Sequence, residues 1–305
     1  MTGQNDVPRA SYDLHLHTCW SYDATNTVEE LLETASEVGV RRIAITDHHL
    51  VDGIPEAIEA AANYPDILLV PGVELNVTTS VGSVHVLALG LTLRAIDALE
   101  PVWDEYRQWQ IDLGSATSAG VCALGFDYSD AQRQELLESY RPARTISVQG
   151  ATPTSNKMRR AFFIERGFVS DEDEYRELMS AAGEAVPRPP YPNGDRVLPA
   201  VKEQGALLVI AHPPAYFGGA DRNRMDMLRE ELLLDGVECA HRRKVPHELT
   251  PIYRAWCEEH DLISTGGSDL HWPEDVSEGI GLHIGAEEWW PEIEARLPSE
   301  ALINA

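Results

Sequence analysis

The chain has 305 residues, of which 43% are hydrophobic, and its formal net charge at pH 7 is -26. This length suits one large barrel-type domain or two ordinary domains, and no run of roughly 18 consecutive apolar residues predicts a transmembrane helix. So acidic a composition argues against a long DNA or RNA, whose binding depends on Lys and Arg that neutralise phosphates. It leaves a small phosphorylated substrate open, because bound divalent metals can reverse the local field.

The cysteines and the first residues of the chain bear on its location in the cell. The four cysteines, Cys19, Cys122, Cys239 and Cys257, are scattered and form no CxxC pair. This spacing is typical of reduced thiols in a cytoplasmic protein. The opening residues MTGQNDVPRA lack the basic start and the apolar run of a signal peptide. We therefore expect a cytoplasmic location and no membrane partner.

The first predicted strand covers residues 12–17, where apolar and polar side chains alternate. Because the period is two, His15 and His17 lie on the same face of this strand. Thr27 and Glu30 then form a capping-box pattern, which predicts the start of the first helix.

Six further strands are predicted, and most of them follow a helical segment. They are RRIAIT (41–46), DILLVPGVEL (66–75), SVHVLALG (83–90), ALLVIAHP (206–213), GVECA (236–240) and LISTGGSDLH (262–271). Strands that alternate with helices indicate parallel βα units, so the predicted fold class is α/β.

The alternation stops between residues 96 and 195, which are polar and predicted to be mainly helical. We predict a discontinuous barrel made of residues 10–95 and 196–295, with residues 96–195 as a helical insertion that caps it. The alternative is a set of long βα connections. The insertion is favoured because structureless loops of that length are rare.

Polar residues with metal-binding side chains follow the predicted strands. In a barrel of βα units the carboxyl ends of the strands meet at one face, where chemistry gathers. His85 is the exception, because it lies inside its strand. The residues at strand ends are His15, His17, Asp47, His48, Glu74, His212, Asp269 and His271.

This set predicts a multi-histidine metal site. Imidazole and carboxylate together suit Mn, Fe and Zn, and no thiolate is present to indicate a structural zinc site. Two or three such ions can clamp a phosphate and lower the pKa of a water molecule between them. Lone histidines are usually structural or on the surface, and His247, His260 and His283 are read in that way.

Five motifs in this order, DLHLHT followed by SYD, AITDHH, PGVEL, VIAHP and GGSDLH, resemble those of the PHP superfamily, named for polymerase and histidinol phosphatase. The resemblance covers about residues 11–90 and 200–285. It implies a distorted (βα)7 TIM-like barrel with a di- or trinuclear metal centre that hydrolyses phosphoesters.

The resemblance also implies a ligand set for two or three divalent ions, Mn, Fe or Zn. Asp23 marks a departure, since some trinuclear members carry histidine there. One ion would take His15, His17, Glu74 and Asp269; a second would share Glu74 and add His85 and His212; a third would take Asp23, His48 and His271.

Residues that would bind the substrate are predicted from their charge and their position in the chain. A phosphate needs a cationic cradle beyond the metals, and the candidates are Lys157, Arg159 and Arg160 on the insertion and His241, Arg242 and Arg243 after the sixth strand. Residues His212, Asp269 and His48 are the catalytic candidates. His212 or a water molecule would protonate the leaving oxygen.

These features favour a metal-dependent phosphoesterase acting on a small phosphomonoester, with AMP as the first candidate. Histidinol phosphatase is one alternative, and a nuclease or phosphodiesterase on short oligonucleotides or nucleoside bisphosphates is another. A regulatory metal-binding PHP module is the non-enzymatic alternative, but every expected ligand position is filled. Hydrolysis of C–N bonds is disfavoured, because we expect no lysine at a strand end.

Overall fold

The computed structural model describes residues 8–304, in which seven strands form a nearly closed barrel with helices around it. The strands pair in chain order, and a bridge between Leu16 and Leu270 joins the end of β1 to the segment just after β7. The predicted α/β barrel is therefore confirmed. The strands are β1 Tyr12–Leu16, β2 Arg42–Ile45, β3 Leu68–Thr79, β4 Gly82–Leu89, β5 Leu207–Ile210, β6 Gly236–His241 and β7 Ile263–Gly267.

The helices occupy the outside of the barrel and the long segment between β4 and β5. No helix within residues 8–304 is both long and apolar enough to span a membrane. The helices are α1 Val28–Val38, α2 Ile54–Ala61, α3 Leu93–Ala98, α4 Glu100–Ala123, α5 Asp130–Tyr140, α6 Ala143–Gln149, α7 Asn156–Glu165, α8 Glu172–Ala185, α9 Gly194–Glu203, α10 Pro214–Phe217, α11 Arg222–Leu232, α12 Thr250–Glu259, α13 Pro273–Gly279 and α14 Trp290–Glu294.

Helix α1 begins at the capping box that the sequence predicts. The Thr27 hydroxyl accepts from the Glu30 backbone N–H at 3.1 Å, and the Thr27 N–H donates to the Glu30 carboxylate at 2.7 Å. Gly39 ends the helix in the left-handed region, with a φ of 86°. These two caps satisfy backbone groups that a helix leaves unpaired at its ends.

Strand β4 departs from the expected parallel arrangement, because it is antiparallel to both β3 and β5. Only the turn between Thr79 and Gly82 joins β3 to β4, and a parallel pair would need a crossover of a dozen residues or more. In this register Asn76 lies opposite His85. His85 therefore lies on the same face of the sheet as Glu74, one diagonal step away.

Asp13 ties the first strand to the last. Its buried carboxylate accepts the Ser268 N–H at 2.9 Å and the Gly281 N–H at 2.8 Å. The Asp269 N–H also donates to the His15 carbonyl at 2.8 Å. These bonds bring the ends of β1 and β7, which carry the proposed ligands, side by side.

The segment from α3 to α8 has an apolar cluster of its own, which includes Tyr128, Phe163 and Met179. This segment contacts the loop between β1 and α1. Its buried Arg141 donates to two backbone carbonyls of that loop, both at 3.4 Å. The Tyr140 hydroxyl donates to the Tyr22 carbonyl at 2.7 Å. The helical segment thus packs on the loop that carries Asp23, and its boundaries as a separate insertion stay a prediction.

Candidate metal centre

Glu74 on β3 lies at the centre of the candidate site and is almost completely buried. Its Oε2 atom lies 3.1 Å from His15 Nε2, 3.2 Å from His17 Nε2 and 3.2 Å from His48 Nδ1. Three rings from two different strand ends therefore converge on one carboxylate oxygen.

The other oxygen of Glu74 faces a second pair of histidines. Its Oε1 atom lies 2.7 Å from His85 Nδ1 and 3.3 Å from His212 Nε2. One carboxylate thus lies between two sets of imidazoles, which is the arrangement that a carboxylate bridging two cations requires.

The remaining carboxylates complete the cluster. Asp23 Oδ2 lies 3.6 Å from His48 Nε2 and 3.8 Å from His271 Nε2, while Asp269 Oδ1 lies 3.1 Å from His17 Nε2. Within residues 8–304, sets of side chains whose ligand atoms lie within 4.8 Å of one another are His15, His17, Glu74 and Asp269; Glu74, His85 and His212; His17, His48 and His271; and His15, Glu238 and His241.

Several atoms of this cluster lie close to one another without a hydrogen bond, which fits a bound metal. Across residues 8–304, His17 Nε2, His48 Nδ1, Asp23 Oδ1 and Asp269 Oδ1 are buried without a hydrogen-bond partner. Buried polar atoms are normally paired, and exceptions need a cause. A donor set of imidazole nitrogens and carboxylate oxygens suits Mn, Fe or Zn. The cluster is therefore able to bind metal ions.

Burial sets the charge state of several rings. It lowers the pKa of His48 well below its usual value and that of His212 to about 4. Both rings are neutral near pH 7, which suits a ligand better than a proton donor. Burial also opposes charge on His17, but the adjacent carboxylates of Asp269 and Glu74 raise its pKa to about 9. A metal ion that binds His17 would therefore displace a proton.

Glu238 on β6 supports two of the histidines and was absent from the candidates predicted from sequence. It is fully buried; its Oε1 lies 3.0 Å from His15 Nδ1, and its Oε2 accepts the His212 backbone N–H at 2.8 Å. A Cβ atom on Gly267 would lie 2.7 Å from Glu238 Oε1 and 2.3 Å from the His15 Cβ, so glycine permits this close approach.

Asp47 supports the site from the β2 side. Its Oδ1 accepts from the Thr18 N–H at 2.6 Å and from the Ser21 hydroxyl at 2.9 Å. The Ser21 oxygen in turn lies 3.1 Å from His17 Nδ1 and accepts the His48 N–H at 2.9 Å. This chain of contacts fixes the ring of one proposed ligand and the backbone of another.

Lys244 corrects the expectation that no lysine lies at a strand end. It comes three residues after β6, and its Nζ contacts Asp269 Oδ2 and lies 3.2 Å from His212 Nε2. Burial opposes its charge, but Asp269 and Glu74 raise the pKa of Lys244. The only sequence signal was the basic run HRRK, which does not show which of its members turns into the site.

His241, the predicted phosphate ligand, is the last residue of β6 and is buried beside Asp269. Its Nδ1 accepts the backbone N–H groups of Arg243 at 2.9 Å and Lys244 at 3.0 Å. Its Nε2 lies 3.5 Å from Asp269 Oδ2. The structure therefore brings His241 to the edge of the metal cluster.

The three basic residues predicted on the insertion lie in different places. Lys157 lies with its Nζ 3.8 Å from the centre of the Trp272 ring, near the mouth of the barrel. Arg159 is buried within the helical segment, where it donates to the Tyr175 hydroxyl at 3.0 Å. Arg160 pairs with an acidic residue at the start of α8. Arg159 and Arg160 thus make their contacts within the helical segment and not with the histidine cluster.

Comparison with known proteins shows which family and which relatives this chain resembles. A family model described as the PHP domain matches residues 13–185, more than half of the chain. The 3',5'-nucleoside bisphosphate phosphatase of Chromobacterium violaceum is 27% identical over 309 residues, which cover 94% of this chain and 98% of that protein. The 5'-3' exoribonuclease Rnm of Escherichia coli K12 is 25% identical over 285 residues, covering 92% of each.

A solved structure shows the same relationship. The structure of a proposed metal-dependent phosphoesterase from Bifidobacterium adolescentis has a TM-score of 0.73 and 25% sequence identity, and the match covers 96% of this chain and 99% of the other.

The seven-stranded barrel and the histidine–carboxylate cluster at its mouth define a metal-dependent phosphoesterase. The chain belongs to the PHP family. One of these relatives is named as an exoribonuclease, so the relatives of this chain include a protein named for action on RNA.

Proposed function

We propose that this enzyme hydrolyses a small phosphomonoester, with a nucleoside monophosphate such as AMP as the first candidate. The observation that carries the proposal is the position of Glu74, whose two oxygens face five imidazole rings. A buried site with this many convergent nitrogens suits two or three divalent ions, Mn, Fe or Zn.

The assignment of ligands to ions is the one that the family resemblance implies, and its first two sets coincide with side chains whose ligand atoms lie within 4.8 Å of one another. Bound ions would supply positive charge for the phosphate oxygens and a water molecule of lowered pKa. The first ion would be held by His15, His17, Glu74 and Asp269, the second by Glu74, His85 and His212, and the third by Asp23, His48 and His271.

Other residues of the chain would bind the substrate and orient the ligands. Glu238 holds the Nδ1 side of the His15 ring, which leaves Nε2 facing Glu74. Lys244 and His241 place N–H donors beside Asp269, where they would contact phosphate oxygens. In the metal-loaded enzyme His48, His212 and Asp269 would act chiefly by holding the ions in place. A cytoplasmic location also remains a prediction.

A second candidate function is cleavage of short RNA or of nucleoside bisphosphates. It is supported by the names of the relatives in Chromobacterium violaceum and Escherichia coli. The net charge of -26 disfavours long polymers, so a dinucleotide or a bisphosphate is the more suitable substrate of this kind.

Phosphate release from a panel of substrates tests the proposal. The panel holds AMP, histidinol phosphate and a dinucleotide, each assayed with added Mn²⁺ in the parent enzyme and in His17→Ala. We expect release from AMP by the parent and a loss of roughly 10³-fold or more in the variant, because Lewis-acid charge worth several kcal/mol is lost.

The panel also separates the alternatives. Preference for histidinol phosphate would reassign the substrate. Cleavage of the dinucleotide alone, into a nucleoside and a nucleoside monophosphate that chromatography detects, would favour the nuclease alternative. A parent enzyme that binds metal but hydrolyses none of these compounds would contradict the monoesterase proposal.

A further inference from the structure

A tight turn lies at His48, a proposed metal ligand just beyond the end of β2. The Leu50 N–H donates to the His48 carbonyl at 2.8 Å, and the residue between them, His49, has a φ of 68°. This is the hydrogen-bond pattern of the rare, strained kind of γ-turn, and residues other than glycine seldom adopt such a φ. The backbone around His48 therefore needs contacts from the surrounding structure to keep this conformation.

A buried glutamine of helix α4 supplies the first of these contacts. Gln110 is 1% exposed, and its Nε2 donates to the His48 carbonyl at 3.3 Å and lies 3.0 Å from His49 Nδ1. Because a carbonyl can only accept, the amide nitrogen of Gln110 faces it, and His49 Nδ1 accepts the second N–H. One side chain of the helical segment thus holds both residues of the turn.

Two aromatic side chains of the same helix hold the His49 ring. The Tyr106 ring is stacked on it, with ring centres 5.4 Å apart and planes at 5°, and the Trp109 ring meets it edge-on at 4.9 Å. The Tyr106 hydroxyl also donates to the Asn76 carbonyl on β3 at 3.0 Å. Helix α4 is therefore fixed to the strand that carries Glu74 as well as to the turn.

The turn is also joined to the centre of the metal cluster. The His49 backbone N–H donates to the Glu74 carbonyl at 2.9 Å, and His48 Nδ1 lies 3.2 Å from Glu74 Oε2. A change in the backbone angles of His49 would move the His48 ring relative to this oxygen. The members of such a site must be held to within about 0.5 Å of their working positions, so the contacts that fix the turn bear directly on metal binding.

We propose that Gln110 is a positioning residue of the metal centre, which acts through the turn at His49 to hold His48 in place for its ion. The inference rests on the proposed function, in which His48 is a metal ligand, and it gives helix α4 a part in metal binding. Loss of the Gln110 N–H donors would let the turn relax. His48 would then bind its ion more weakly in a protein that is still folded.

The test is a cycle of Gln110→Met, His48→Ala and the double variant, with Mn²⁺ dissociation constants measured by competition with a chelator. Methionine keeps the length of the side chain and removes its N–H groups. We expect Gln110→Met to weaken one Mn²⁺ site roughly 10- to 100-fold, the usual effect of removing a group that orients a ligand. The double variant should bind less than about threefold more weakly than His48→Ala, because Gln110 acts through His48.

A matched control makes the same change on the same helix. Gln108 is exposed and donates to Asp112, and Gln108→Met should keep the Mn²⁺ affinity of the parent. Thermal unfolding of the metal-free proteins separates positioning from folding. Within residues 8–304, the Gln110 Oε1 atom is buried without a hydrogen-bond partner. Methionine removes this unpaired acceptor too, so metal-free Gln110→Met should unfold near the temperature of the parent.

Two results would overturn the positioning role. One is a folded Gln110→Met protein with the parent affinity for every Mn²⁺ ion, and the other is an equal loss of affinity whether His48 is present or replaced. Neither result depends on catalysis. A parent that binds Mn²⁺ but hydrolyses no phosphoester would contradict the proposed function, and the comparison of dissociation constants would still decide the role of Gln110.

Discussion

Replacing Glu74 with glutamine should reduce the rate of phosphate release by roughly 10³-fold or more. The amide keeps the size of the side chain, but it removes the negative charge and turns one acceptor oxygen into an N–H2 donor that faces imidazole nitrogens. Since both oxygens of Glu74 face histidines, the substitution affects two proposed ions at once. Metal content per chain, measured by mass spectrometry, should fall together with activity.

The control for this prediction is Glu203→Gln, which makes the same chemical change at an exposed position at the end of α9. It should retain the metal content and activity of the parent. A folded Glu74→Gln protein that binds the full complement of metal and works within tenfold of the parent rate would show that this carboxylate is not the bridge.

Replacing Glu238 with glutamine should weaken metal binding by roughly 10- to 100-fold, the usual effect of removing a group that orients a ligand. Glu238 holds the His15 ring through its side chain and His212 through its backbone. A glutamine amide that donates to His15 Nδ1 would move the ring proton to Nε2, the atom that faces Glu74. The metal dissociation constant, measured by competition with a chelator, is the readout.

Glu259→Gln, on an exposed part of α12, is the matched control and should leave the metal dissociation constant unchanged. Thermal unfolding of the metal-free proteins separates orientation from folding. If metal affinity is unchanged in a folded Glu238→Gln protein, the orienting role is wrong.

Much of the barrel could be predicted because its signals are local. Alternation in β1 indicated that His15 and His17 share a face, and the Thr27 and Glu30 pair marked the start of α1. The direction of β4 was not predicted, because the sequence pattern shows that a strand exists and not which neighbours it pairs with. The short turn before Gly82 was the available signal for a hairpin.

The residues that the sequence analysis missed depend on irregular backbone. The pairing of β6 with β7 shifts register between Glu238 and Ala240, so a strict period of two cannot show that Glu238 and His241 both face the site. Lys244 lies in a bend beyond the strand, where no periodicity applies. For Arg159 the prediction of phosphate binding rested on its charge alone. An arginine can instead be buried and hold its own helical segment together, as Arg159 does.

Phosphate release during the return of metal to chelator-treated enzyme tests the central claim most directly. The metal-free protein should be inactive towards AMP and the other phosphoesters. Activity should rise as Mn²⁺ is added and level off at about two or three ions per chain, in the parent but not in Glu74→Gln. Full activity of the metal-free protein, or a fully loaded protein that hydrolyses no phosphoester, would contradict the account.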